Sequence, residues 1–302
     1  LSEALLKNAP LEMSPQDVSY HQKFNLLLKD QVGKAFFHTL ADQCFRTSNS
    51  KRSIDQYTYL LSLYGMPTSL AGMDRAKFLS INSLTKKLPG MSKKMLYNYL
   101  LKRAEPFFLS THQLSGKSLS TAGLALNIDC YCSPAMGKKD VQDHLNFYTY
   151  FAKRDDLSQL TINTESLLIH RSPFSLETGV KAFLEQARSL LKAYLNTETR
   201  PKPDTLFFIE PHLYGHDALA LQAFIKLAEE PEFLSLPLGI VLHAYFPDSY
   251  TSAVKVLDSA KKRRAEGGAP LTITLSKGKF LNQESHIASS GFHPQPYFLK
   301  RQ

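Results

Sequence analysis

Three short apolar runs separated by two helix-length amphipathic segments constrain this chain more than any other feature. Residues 206–209, 238–242 and 271–275 have strand length, and the stretches between them carry apolar residues at helical spacing. Strand, helix and strand in that order build a parallel sheet, because a parallel neighbour is reached only through a crossover. Parallel strands bring their carboxyl ends to one rim, where loops and helix N-termini converge, so chemistry collects there. Glu210, His243 with Tyr245, and Ser276-Lys277-Gly278 fall at those ends.

The same rhythm continues upstream. Residues 124–128 and 157–161 read as two further strands, and 138–151, 174–195, 216–227, 249–264 and 280–288 as helices. Five βα units in succession define an α/β class and favour a (β/α)8 TIM-type barrel over an open sheet, with three units missing. Residues 1–115 carry no strand alternation. They read as helices over 22–28, 31–44, 54–63, 75–88 and 92–109, interrupted at Gly65-Met66-Pro67, Pro89-Gly90 and Pro106. The expected division is a helical arm over 1–115 and a barrel portion over 116–302. The sequence opens without Met or a signal pattern and ends where a sixth strand is due, so it reads as an excised piece.

Composition excludes some classes. With 43% hydrophobic and 21% charged residues over 302 positions, the chain is neither disordered nor membrane-spanning. Three cysteines do not make a disulfide framework, which fits a reducing, cytoplasmic compartment. The net charge of +9 is spread along the chain. Its densest cluster, Lys261-Lys262-Arg263-Arg264, ends a helix, where solvated cations favour the helix dipole, so no nucleic-acid partner is expected. GxGxxG and GxxxxGK[ST] motifs are absent from the sequence.

Each candidate site has a bland reading beside it. Cys130 and Cys132 stand one residue apart after a strand but lack the companion ligands of a zinc site, and read as half-buried thiols with no metal. Glu210 suits proton or charge work, with His212 and His216 nearby; Gly215 argues that the two histidines do not share a helical face. His243 reads either as a wall residue or as part of a site. Lys277 with Gly278 suits an anionic group such as a phosphate, or is a plain loop lysine beside a turn glycine.

The run EEPEFLSLPLGIVLHAYFPDSYTSAVKVLDSAKKRRAEGGAPLTITLSKGKFLNQE and the later GFHPQPYFLKR resemble the proline dehydrogenase barrel of bacterial proline utilization A proteins. That family has "GIVLQAYLPDS", a "GGAP" turn, "RLVKGA" and "GWPxxPY" in the same order. GLALNIDCYCSP, LTINTESL and DTLFFIEPHLYGHDALALQAF resemble its first three strands, so the likeness covers about residues 118–302. The resemblance implies a distorted barrel holding FAD, oxidation of L-proline or a similar small amino acid to Δ1-pyrroline-5-carboxylate, and electrons passed to membrane quinone. It also implies a place in the cytoplasm with access to the inner-membrane surface, and is compatible with an oligomer. Glu210 falls where the family has its third-strand Asp and is the implied catalytic residue. Asn163, His243 and Thr274 fall where the family has Lys, Gln and Arg; with Lys277 and Gly278 they are the implied cofactor contacts. Arg to Thr at position 274 removes a fixed cation and five donors. These exchanges argue against activity and leave a second reading open, that of an inactive relative serving as scaffold or interaction domain.

Overall fold

The computed structural model describes residues 19, 22–23, 25–27, 29–45, 49–70, 72–87, 93–104, 126–129, 134–169, 173–197, 205–244, 246, 248–277 and 279–291. The chain divides into two compact units, Leu1–Lys117 and Ser118–Gln302.

Among the described residues of the first unit, helices α1 (Gln31–Leu40), α2 (Ser50–Tyr64), α3 (Gly72–Lys87) and α4 (Lys93–Ala104) surround one apolar core. A π-helical turn, Ala41–Phe45, follows α1. Phe36, Phe37, Tyr57 and Phe78 meet edge to face in that core, with centroids 5.4–6.5 Å apart. The Tyr57 hydroxyl donates to the Phe78 carbonyl at 2.7 Å, so the buried phenol is satisfied. Asp30 caps α1 by accepting from the Gly33 N–H and also accepts from the Ser69 N–H, each at 2.8 Å. Burial pushes its carboxyl up, but these bonds and the Thr68 hydroxyl overcome that and hold it well below the carboxylate range.

The second unit carries the sheet. Strands β1 (Leu126–Asp129), β2 (Leu157–Asn163), β3 (Leu206–Glu210), β4 (Leu238–His243) and β5 (Leu271–Ser276) pair in sequence order, and every pairing is parallel. Helices α5 (Lys138–Ala152), α6 (Leu176–Leu195), α7 (Asp217–Ala228) and α8 (Ser249–Ala265) make the crossovers, and α9 (Leu281–Gly291) follows β5. These elements match the expected units within a few residues, and the sheet is that of a partial βα barrel.

Register assigns the two faces. Ile128, Leu160, Phe207, Leu238 and Leu271 form one row across all five strands. Tyr194 of α6 packs edge-on against Phe207 at 4.8 Å, so this is the face the helices cover. The adjacent row is Asp129, Thr161, Phe208, Gly239 and Thr272, on the opposite face. Two residues further along stand Asn163 beside Glu210 and Val241 beside Thr274, then His243 beside Ser276. All of these share that second, more polar face, which explains why four matched positions come from one side of the sheet.

The cluster 261–264 is not uniformly a solvated helix end. Lys261, Lys262 and Arg264 are exposed, but Arg263 is 1% exposed. Its guanidinium donates to the carbonyls of Ala228, Phe233, Leu234, Leu236 and Ala269 at 2.6–2.9 Å. A cation is tolerated in this interior because its Nε, Nη1 and Nη2 groups all donate to backbone carbonyls. Gly268 closes the same knot: a Cβ there would lie 2.7 Å from Arg263 Cγ.

Candidate functional site

The carboxyl ends of β1, β2 and β3 converge on an acidic cluster. Asp129 ends β1, Glu210 ends β3, and Glu165 lies in the 3-10 turn Thr164–Ser166 that follows β2. His212, two residues beyond β3, sits among them. Its Nε2 is 3.6 Å from Glu210 Oε1 and 3.7 Å from Asp129 Oδ1, and its Nδ1 is 3.9 Å from Glu165 Oε1. Lys279, after β5, pairs with Glu210.

The β2 turn is built to hold Glu165 in place. The Ser166 hydroxyl donates to the Asn163 carbonyl at 2.7 Å, and the Asn163 N–H donates to the Tyr148 hydroxyl at 3.2 Å. The Thr164 hydroxyl and the His212 N–H both donate to Glu165 Oε2, at 3.0 and 3.2 Å. A buried carboxylate is tolerable here because it accepts from donors on two loops.

Electrostatics separates the two strand-end acids. Burial raises the Glu210 carboxyl, but His212 and the Lys279 ammonium outweigh it and carry the group down to about 2. Asp129 moves the other way: burial and the Glu210 charge push it up against the opposing pull of His212 and Lys279. Glu210 therefore carries its negative charge throughout the neutral range.

A second group of side chains lies over β4. The buried His243 shares a 2.5 Å hydrogen bond between Nδ1 and Asp217 Oδ1, at the start of α7. Its ring meets Phe280 at 5.0 Å and Phe246 at 6.1 Å, while Tyr214 meets both phenylalanines. Beside this group a cleft of about 180 Å³ opens between α7 and α8, lined by Leu221, His243, Ser249 and Ser252. On β5, Thr272 and Thr274 are exposed and Ser276 half-buried, leaving a surface of small hydroxyl side chains next to the exposed Lys277.

Of the sequence-predicted site residues, Glu210 lies in the acidic cluster and Asn163 is buried beneath the adjoining turn. His243 belongs to the aromatic group, and Thr274 and Lys277 to the open β5 surface. Gly278, Cys130, Cys132, Tyr245 and residues 292–302 of the last motif lie outside the described residues. His212 and His216 part company: His212 faces the carboxylates directly, whereas His216 Nδ1 lies 3.4 Å from the Thr164 hydroxyl that donates to Glu165. Asp129, Glu165, Asp217 and Lys279 were not singled out by sequence reasoning. Asp129, Glu165 and Lys279 were signalled only by their place within a few residues of a predicted strand's end, and Asp217 only by its place at the start of a predicted helix.

No protein-family model matches the sequence, and neither does any curated protein. Solved structures of proline utilization A (PutA) do match. The protein from Corynebacterium freiburgense is 23% identical with a TM-score of 0.56, over 73% of this chain and 23% of that one. PutA from Bdellovibrio bacteriovorus, inactivated by N-propargylglycine, is 16% identical with a TM-score of 0.54, over 92% and 28%. A mutant of the Bradyrhizobium japonicum protein is 13% identical with a TM-score of 0.56, over 94% and 30%. The chain resembles PutA and shares its fold over this portion, spanning less than a third of the length of each of these proteins. Among the described residues no helix is long and apolar enough to cross a membrane.

Proposed function

We propose that this chain is a proline dehydrogenase-like βα module that docks FAD over the tips of β4 and β5 and takes L-proline or a similar small amino acid as substrate. One observation carries the reading. Asn163, Glu210 and His243, matched to the family by motif, end β2, β3 and β4, and Thr274 stands two residues before the end of β5, all on one sheet face. The likeness of fold to PutA supports it.

The residues fit a flavin in shape better than in charge. A planar ring needs a face without bulk and donors at its polar edge, and its diphosphate needs cations. Thr272, Thr274 and Ser276 supply small hydroxyl donors, the Tyr214, Phe246 and Phe280 rings an apolar wall, and Lys277 a cation for phosphate, with Gly278 beside it in sequence. Bound FAD supplies the acceptor for the substrate's hydride. Glu210, permanently anionic, holds the substrate's ammonium in exchange for Lys279. The finer assignments of quinone as electron acceptor and the inner-membrane surface as its location follow from the family resemblance.

A second reading, a non-catalytic scaffold, is favoured by the Glu210–Lys279 pair, which already satisfies the proposed substrate-binding charge. The two part on a flavin titration of the purified chain. Quenching of FAD fluorescence followed by bleaching on adding L-proline supports catalysis. Quenching without bleaching supports the scaffold, and no quenching overturns flavin docking altogether.

A further inference from the structure

We propose that Asp129, Glu210 and His212 bind a first-row divalent transition-metal ion at the tips of β1 and β3. One ligand atom from each lies within 4.8 Å of the others. The independent observation is His212 Nε2, which is sealed from solvent and makes no hydrogen bond among the described residues. Its two acidic neighbours, at 3.6 and 3.7 Å, are too far for hydrogen bonding. Ligand atoms around a tetrahedral ion with bonds of about 2.0–2.1 Å are separated by about 3.4 Å. The two distances from His212 Nε2 are therefore too long for a hydrogen bond and within a few tenths of an ångström of that separation.

The surroundings support the same assignment. The His212 backbone donates to Glu165 Oε2, and Glu165 Oε1 stands on the Nδ1 side of the ring at 3.9 Å, so a carboxylate lies behind the imidazole without hydrogen-bonding it. The three carboxylates outnumber the one ammonium among them, Lys279, which is paired with Glu210. One imidazole with two carboxylates suits Zn²⁺, Co²⁺, Fe²⁺ or Mn²⁺, whereas Ca²⁺ and Mg²⁺ prefer all-oxygen shells. A metal shares Glu210 Oε1 with Lys279, so ion and ammonium compete. None of its ligands lies on β4 or β5, where the flavin is placed, but it shares Glu210 with the proposed substrate pocket, so an ion there and a substrate ammonium exclude one another.

The test is a calorimetric Zn²⁺ titration of the chelator-treated full chain, repeated with Co²⁺ as a visible-absorbance probe. One equivalent is expected to bind, with the absorbance of a low-coordinate Co²⁺ ion. His212→Gln and Asp129→Asn should each weaken binding at least about tenfold. A Cys130→Ser, Cys132→Ser double variant should leave it unchanged, and Lys279→Met should tighten it. Absence of saturable binding overturns the proposal, as does binding that survives His212→Gln but is lost in the cysteine variant. Should the His212 variant not fold, Lys279→Met decides alone: unchanged or weaker binding overturns the site.

Discussion

The Arg263 guanidinium donates to the carbonyl of Leu236 at 2.6 Å, across 27 residues of chain. It thereby ties the exit of α8 to the loop that feeds β4. Arg263→Lys keeps the charge but not the planar fork of donors, and leaves buried carbonyls without partners. A loss of about 3 kcal/mol is expected in denaturant unfolding, with Arg263→Ala at least as damaging. An Arg263→Lys chain of unchanged stability sinks this account.

Gly239 owes its identity to Phe208 on the neighbouring strand. A Cβ at position 239 would lie 2.6 Å from the Phe208 ring. Gly239→Ala should cost about 1–3 kcal/mol, because the ring has to leave its rotamer or β4 has to shift. Phe208→Leu in the same chain should return part of that loss in thermal unfolding; an additive pair of losses would show that the contact is not the cause.

Glu210 predicts how stability depends on pH. Its folded value of about 2 is below the ordinary 4.5, so its contribution is fully present above 4.5 and is lost as pH falls towards 2. The upper bound is roughly 3 kcal/mol. Glu210→Gln should flatten the acid limb of the stability curve in that window. Lys279→Met should move the carboxyl upward in a carbon-detected NMR titration, and an unmoved titration would remove Lys279 from the explanation.

Thr274 predicts a gain. It is exposed on β5, in register with Val241, where a longer side chain meets no packed core. Thr274→Arg restores a fixed cation beside the proposed flavin surface and should tighten FAD binding by about tenfold in a fluorescence titration, the worth of one charge-assisted hydrogen bond. Unaltered binding argues that flavin does not dock on β5.

Much of the fold was legible because each strand is a bounded apolar run and each helix repeats at three and four. Val180, Phe183, Leu184, Ala187, Leu190 and Leu191, spaced that way, are all buried in α6. The site was legible only where one residue stood at the end of one run, as Glu210 and His243 do. Asp129, Glu165 and His212 become a cluster through the adjacency of β1, β2 and β3, and no local pattern encodes three strand ends meeting. Arg263 was misread for a similar reason. Its position in a basic run says solvent, while its burial depends on five carbonyls spread over residues 228–269.

β5 has a paired neighbour on one side only among the described residues, and its Leu275 is 68% exposed. A strand paired on one side is held by half the ladder bonds of an inner one. Hydrogen exchange should then begin at β5 and reach β3 last, so that the sheet loosens from its margin inward.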